Sequence, residues 1–196
     1  MLKQTLAVLS EEEPALIEPL DSESMLVVIR RPQTSDGDAI WKLQLPEAGS
    51  RVAVHREAMP ALSSCFADTS LVAEIGGCLV GFVGAHRPPS SRSSLIVWQI
   101  DVAPAVRRRG LASALLHTLI QCPGCAGIEY VEATIHPANE AGKQLFESFA
   151  RDLRSSCELN ACFALSSSPH GEADLLRVGP IRVENAMKLE KTHEAL

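Results

Sequence analysis

Apolar residues in this chain recur with two periods, and the switches between them outline its elements. Met25-Leu26-Val27-Val28-Ile29-Arg30 is a β-branched run that predicts a first strand. Thr34 to Asp38 then carries helix-start residues, with Ser35 and Asp38 at capping-box spacing ahead of Ile40, Trp41 and Leu43. Pro46 and Gly49 end that helix, and 52–66 predicts a second one interrupted by Pro60. Strands over 70–74 and 78–86 flank Gly76-Gly77, a hairpin signal. After a polar loop over 88–94, a strand is predicted over 95–102. The spacing of Leu111, Leu115 and Leu119, widened by Leu116 and Ile120, predicts a helix over 111–121. Alternation over 128–135 predicts another strand. A helix follows from Asn139, with Ala141, Leu145, Phe146, Phe149 and Ala150 on one face. Two last strands are expected over 159–165 and 181–189, joined by a loop with Pro169, Gly171 and Gly179-Pro180.

Between strand and helix at the centre of this series lies Pro104-Ala105-Val106-Arg107-Arg108-Arg109-Gly110-Leu111-Ala112. A glycine at a strand-to-helix turn lets the backbone approach a ligand closely. The unpaired N–H groups of the first helical turn, aided by the helix dipole, attract a phosphate oxygen. Three consecutive arginines add positive charge at the same point. The pattern predicts a pyrophosphate site, although a solvated basic turn capping an ordinary helix shares its features. It is neither a Walker A loop, since no Gly-Lys-Ser/Thr follows, nor a three-glycine dinucleotide fingerprint.

Bulk composition narrows the classes. The 196 residues suit one domain, 25–191, with an acidic and poorly periodic leader over 1–24 and a short tail over 192–196. The leader holds Glu11-Glu12-Glu13, Pro14 and Pro19 and is expected to be mobile. A hydrophobic share of 46% and a charged share of 21% are those of a globular protein. The net charge of -6 argues against nucleic acid as partner, the basic run being local. No apolar run approaches the roughly 20 residues of a membrane span. No signal pattern opens the chain, so a cytoplasmic location is expected. The six cysteines are then expected as reduced thiols. Cys122-Pro-Gly-Cys125 has metal-like spacing but no second tight pair, and reads as the turn that ends a helix. No metal site is expected.

The spacing Arg107-x-x-Gly110-x-Ala112 after a strand ending Val102-Ala103-Pro104 resembles the Q/R-x-x-G-x-G/A motif of the GNAT superfamily of N-acetyltransferases. The resemblance implies a mixed α/β (α+β) GNAT fold, with a central mixed sheet of about seven strands flanked by about four helices. It implies acetyl-CoA as acetyl donor, its pyrophosphate held by Arg107, Arg108, Arg109, Gly110, Leu111 and Ala112. It also implies that backbone groups near Ile100 and Val102 meet the pantetheine arm, and that Asn139 and Phe146 border the thiol end. Many family members place a tyrosine acid where this chain has Phe146, and Tyr130 is its one tyrosine. The leaving thiolate is therefore expected to take its proton from water or to leave unassisted.

Longer words resemble the diaminobutyrate acetyltransferases of ectoine biosynthesis: Phe66-Ala67-Asp68-Thr69, Val80-Gly81-Phe82-Val83, Arg87-Pro88-Pro89, Val97-Trp98-Gln99, Pro137-Ala138-Asn139-Glu140-Ala141 and the run 170–181. This resemblance implies acetylation of the terminal amine of L-2,4-diaminobutyrate, a role in osmoprotection, and a homodimer. Small ammonium groups need acidic partners, and Glu172 and Asp174 beside His170 supply them. Trp98 offers a wall that stacks on an ammonium, and Thr134 a hydrogen bond. Candidate bases are Glu132, His136 and His170, with a water relay as the alternative.

One word departs. The family's L-D-x-N-S-x-Y corresponds here to 51–57, Arg-Val-Ala-Val-His-Arg-Glu, and the family tyrosine before Arg177 is Leu176. A different diamino acid, a polyamine or a protein N-terminus as acceptor, or an acyl-CoA-binding module without turnover, are the readings this departure leaves open.

Overall fold

The computed structural model of the chain describes residues 6–8, 26–44, 59, 61, 65–161 and 174–181. Two units divide it: Met1–Gly84 with Gln99–Thr118, and Ala85–Trp98 with Leu119–Leu196.

In the first unit, β1 (Leu6–Val8) pairs in parallel with β2 (Val27–Arg30), which runs antiparallel to β3 (Ser70–Ile75). β3 turns back into β4 (Cys78–His86) through Gly76 and Gly77, at φ +57° and +77°. Both angles are left-handed, as this hairpin turn demands. Within the leader segment, Leu6–Val8 adds an edge strand to β2.

The first helix, α1 (Gly37–Gln44), starts from a 3-10 turn at Thr34–Asp36. Asp36, rather than Ser35 or Asp38, caps it: its Oδ2 accepts from the Gln33 amide at 2.7 Å. The same carboxylate takes both terminal nitrogens of Arg30, at 2.7 and 2.9 Å, and the Arg30 guanidinium also reaches Glu74 on β3. Capping and strand anchoring therefore share one ion-pair cluster. Ile40 and Leu43 bury the inner face of α1. Of the second predicted helix, Met59, Ala61, Cys65 and Phe66 are described; the first three are helical and Phe66 lies in a turn.

β5 (Ser94–Val102) and α2 (Leu111–Leu119) contribute residues 99–102 and 111–118 to this unit. α2 lies close against β4 at Gly81. A Cβ there would sit 3.2 Å from Leu115 Cδ1 and 3.3 Å from both Leu111 Cδ2 and Ala73 Cβ. Any side chain at 81 would make these neighbours give way by a few tenths of an ångström.

In the second unit, the start of β5 runs parallel to β6 (Tyr130–Ile135), from Ser94 opposite Tyr130 to Val97 opposite Ala133. β8 (Asp174–Gly179) pairs antiparallel with β6 on one side and with β7 (Ser156–Ala161) on the other. The spatial order is β5-β6-β8-β7. Leu95, Val97, Val131, Ala133, Leu176 and Val178 share the buried face by strand alternation. α3 (Glu140–Asp152) contacts β7 and β8 and buries Phe146, Phe149 and Ala150, about 1.5–3 kcal/mol for each phenylalanine. Asn139, where the helix was expected to start, caps α3, its Oδ1 accepting from the Gly142 amide at 2.9 Å.

The C-terminal strands lie elsewhere than expected. β7 begins three residues before 159, and β8 occupies 174–179, which had been assigned to a loop. Ile181 is not in a strand, and 182–189 lie outside the described residues. Among the described residues the chain has eight strands and three α-helices, and no helix long and apolar enough to cross a membrane.

Candidate functional site

The loop between β5 and α2 is built within the first unit. The Ala103 amide donates to the Val80 carbonyl at 2.8 Å, fixing the end of β5 to β4. Pro104–Val106 then forms a 3-10 turn that sinks Val106 into the core. Arg107 folds back so that its Nε donates to the Val102 carbonyl at 2.8 Å. Arg108 and Gly110 take left-handed angles, φ +61° and +83°, and reverse the chain into α2. At Gly110 that angle favours a residue without Cβ. Its carbonyl accepts the Ala114 amide at 2.9 Å, so the amides of 111–113 precede the first intrahelical donor.

These features give an anion cradle. Buried Leu111 roots the helix end, while Arg108, Arg109 and Gly110 are exposed and Ala112 is half-buried. The expected pyrophosphate residues are thus contiguous in space, with one difference of role: Arg107 tethers the loop through Val102. Ile100 and Val102 lie half-buried on the β5 face opposite Gln99 and Asp101. The Gln99 carboxamide nitrogen donates to Asp101, and its Oε1 is buried without a hydrogen-bond partner among the described residues. No spacing in the sequence singles out Gln99, which stands in the word Val97-Trp98-Gln99.

In the second unit the register sorts the other candidates. Trp98, Glu132 and Thr134 fall on one face of the sheet, since Ile96 opposes Glu132 and Trp98 follows by alternation. Asp174 opposes Ile135 and therefore shares the other face, that of Ala133 and Leu176. The sheet does not bring Asp174 to Trp98 and Thr134. Phe146 is fully buried against the sheet, and Asn139 is exposed at the start of α3.

Glu132 is held in a network. Its Oε1 accepts from Ser94 Oγ at 3.2 Å and lies 3.4 Å from Nε of Arg177, its cross-strand neighbour on β8. The Arg177 guanidinium stacks 3.8 Å from the Tyr130 ring centroid. The carboxylate of this candidate base is thus engaged by a serine on β5 and an arginine on β8. His136 is exposed, and its Nδ1 accepts the Ala138 amide at 3.1 Å. A neutral ring with Nδ1 as acceptor carries its proton on Nε2. One ring nitrogen of this candidate base is thus engaged within the turn. His170 and Glu172 lie outside the described residues, as does the departing stretch 51–57.

Arg87, which opens the word Arg87-Pro88-Pro89, is a staple. Its guanidinium donates to the Arg92 carbonyl and, through Nη1, to the Gly124 and Ala126 carbonyls at 3.4 and 3.1 Å. Cys122 and Cys125 form the turn expected of them, with Pro123–Cys125 in a 3-10 conformation.

Comparison with known proteins agrees with this geometry. The family model described as Acetyltransferase (GNAT) family matches residues 38–150. L-2,4-diaminobutyric acid acetyltransferase of Shouchella clausii is 32% identical over 178 residues, which span 89% of this chain and 96% of that protein. The protein of the same name from Halalkalibacterium halodurans is 37% identical over 158 residues, 79% of this chain and 82% of that one. Among solved structures, diaminobutyrate acetyltransferase EctA of Paenibacillus lautus, in complex with its substrate L-2,4-diaminobutyric acid and coenzyme A, matches with a TM-score of 0.75 and 32% identity. The match covers 80% of this chain and 96% of that one.

Proposed function

Since the chain belongs to the GNAT acetyltransferase family, we infer that it transfers the acetyl group of acetyl-CoA to the terminal amine of L-2,4-diaminobutyrate, giving N4-acetyl-L-2,4-diaminobutyrate for ectoine biosynthesis. The observation that carries this reading is near-full-length identity above 30% to proteins of that one activity, together with an intact loop 107–112.

The residues present suit acetyl-CoA. The amides of 111–113, the left-handed Gly110 and the exposed Arg108 and Arg109 offer donors and positive charge to a pyrophosphate. Arg107 holds that loop to β5, and Gly81 sets the depth of the helix behind it. Acetyl-CoA brings an activated thioester, so the protein's work is to anchor it and to orient an unprotonated amine against it. With Glu132 paired to Arg177 and His136 used in a turn, water or His170 removes the proton. Trp98 and Thr134 line one face of the acceptor site, and Glu172 meets its charge. The working form is a cytoplasmic homodimer that serves osmoprotection and takes a small-molecule acceptor, not nucleic acid or a membrane.

The sequence departure at 51–57 favours one competing reading, a different diamino acid or a polyamine as acceptor. Competition among such amines at fixed acetyl-CoA tests it. L-2,4-diaminobutyrate is expected to have the highest kcat/KM, and a clear preference for another amine overturns the assignment.

A further inference from the structure

Beyond the acetyl-transfer chemistry, and independent of it, the turn that follows α2 holds a pair of thiols that the reaction does not use. Cys122 opens the turn and Cys125 closes it: the Cys125 amide donates to the Cys122 carbonyl at 2.8 Å across Pro123 and Gly124. A turn closed in this way keeps its end Cα atoms within about 7 Å, and a disulfide spans roughly 4.4–6.8 Å. The backbone already has the separation that a bridge requires.

The two thiols differ in access. Cys122 is half-buried and within reach of a reagent, whereas Cys125 is fully buried. Burial pushes the Cys125 thiol up to about 12, the charge of the adjacent Cys122 adding to the effect, so Cys125 keeps its proton. The Arg87 guanidinium, bound to the Gly124 and Ala126 carbonyls, sets a positive charge beside the pair. The other described cysteines are placed differently. Cys65 and Cys78 are exposed in the first unit, and Cys157 lies on β7.

We propose that Cys122 and Cys125 are a redox modification site, closing into a disulfide when the protein meets a low-molecular-weight disulfide. The Cys122 thiolate attacks one sulfur of the small disulfide, forming a mixed disulfide and releasing a small thiolate. Cys125 then displaces the second small thiol from Cys122, and its proton leaves with that group. In sum, two protein thiols and one small disulfide become one protein disulfide and two small thiols. Cys125 reacts only through Cys122, because no reagent reaches it from solvent.

The test treats the folded full chain with excess oxidised glutathione, then denatures and alkylates it, and maps the tryptic peptides by mass. Trypsin leaves both cysteines on one peptide, 110–143, which contains no internal Lys or Arg. The expected result is that this peptide takes up no alkyl group and is lighter by two hydrogen atoms, with both losses reversed by dithiothreitol. In Cys122→Ser, Cys125 should remain fully alkylatable after denaturation. The proposal is overturned if wild-type peptide 110–143 stays doubly alkylated, or carries glutathione without a bridge, while Cys65 and Cys78 are oxidised. A bridge from either cysteine to any other position overturns it equally.

Discussion

Arg107 Nε donates to the carbonyl of Val102 at 2.8 Å, closing the chain on itself across the five residues that lead into the anion cradle. The loop is thereby tied to the last residue of β5, and the amides of 111–113 are held in place before any ligand arrives. Preorganisation of this kind reduces the ordering that binding must bring about.

Arg107→Ala should therefore weaken the donor site more than it slows chemistry. Losing a hydrogen bond from a charged donor costs about 1.5–3 kcal/mol, so KM for acetyl-CoA is expected to rise about 10-fold or more, with kcat changed much less. Steady-state kinetics with acetyl-CoA varied at saturating amine measures this. An unchanged KM contradicts the tether.

Gly81→Ala puts a Cβ within 3.2–3.3 Å of Leu115, Leu111 and Ala73. The helix must shift or its leucines must leave their rotamers, which costs about 1–3 kcal/mol. Urea unfolding should show a lower midpoint with an unchanged m-value. A midpoint equal to wild type means that α2 does not rest on β4 at this depth.

Asp36 links pH to stability. Its burial opposes ionisation, but the hydrogen bond from Arg30, the Gln33 amide and the Arg30 charge outweigh that and hold its carboxyl below the ordinary value. The unfolded chain therefore binds a proton more readily than the folded one. This contribution is complete above the ordinary aspartate pKa of about 3.9 and is lost as pH falls through the lower folded value. Asp36→Asn should be less stable than wild type at pH 7, with the gap narrowing toward acid in urea melts. A gap that stays constant down to the acid limb removes Asp36 from this role.

His136→Ala is expected to leave kcat within about 3-fold of wild type, because its ring nitrogen serves the Ala138 amide rather than the reaction. A pH-rate profile distinguishes the outcomes: a fall of about 100-fold with loss of an acid limb would make His136 the base after all.

What the sequence disclosed was mainly local. Gly76-Gly77, the strand-to-helix loop 104–112, the helix start at Asn139 and the Cys122–Cys125 turn are each set by residues a few positions apart, and the structure has each where the sequence puts it. The α1 cap was placed two residues late because Asp36 is chosen by Arg30 and Glu74, one of them far along the chain. β8 reads as a loop in the sequence because its signal is one-sided. Leu176 and Val178 are its buried residues, while Leu175 and Arg177 face the side that carries Glu132. The β-branched run after Pro180 looked stronger. That Arg177 stands beside the candidate base Glu132 follows from cross-strand register, which the sequence does not show. Asp174 read as a companion of Trp98 and Thr134 until the same register put it on the opposite face.

The most direct test of the account is release of free thiol from acetyl-CoA in the presence of L-2,4-diaminobutyrate, with Gly110→Trp run alongside. The bulky residue at φ +83° should destroy the anion cradle. The account predicts saturable turnover that yields the N4-acetyl product in the unsubstituted protein and falls at least about 100-fold in the variant. No turnover with L-2,4-diaminobutyrate in a protein that still binds acetyl-CoA, or turnover undiminished by Gly110→Trp, would contradict it.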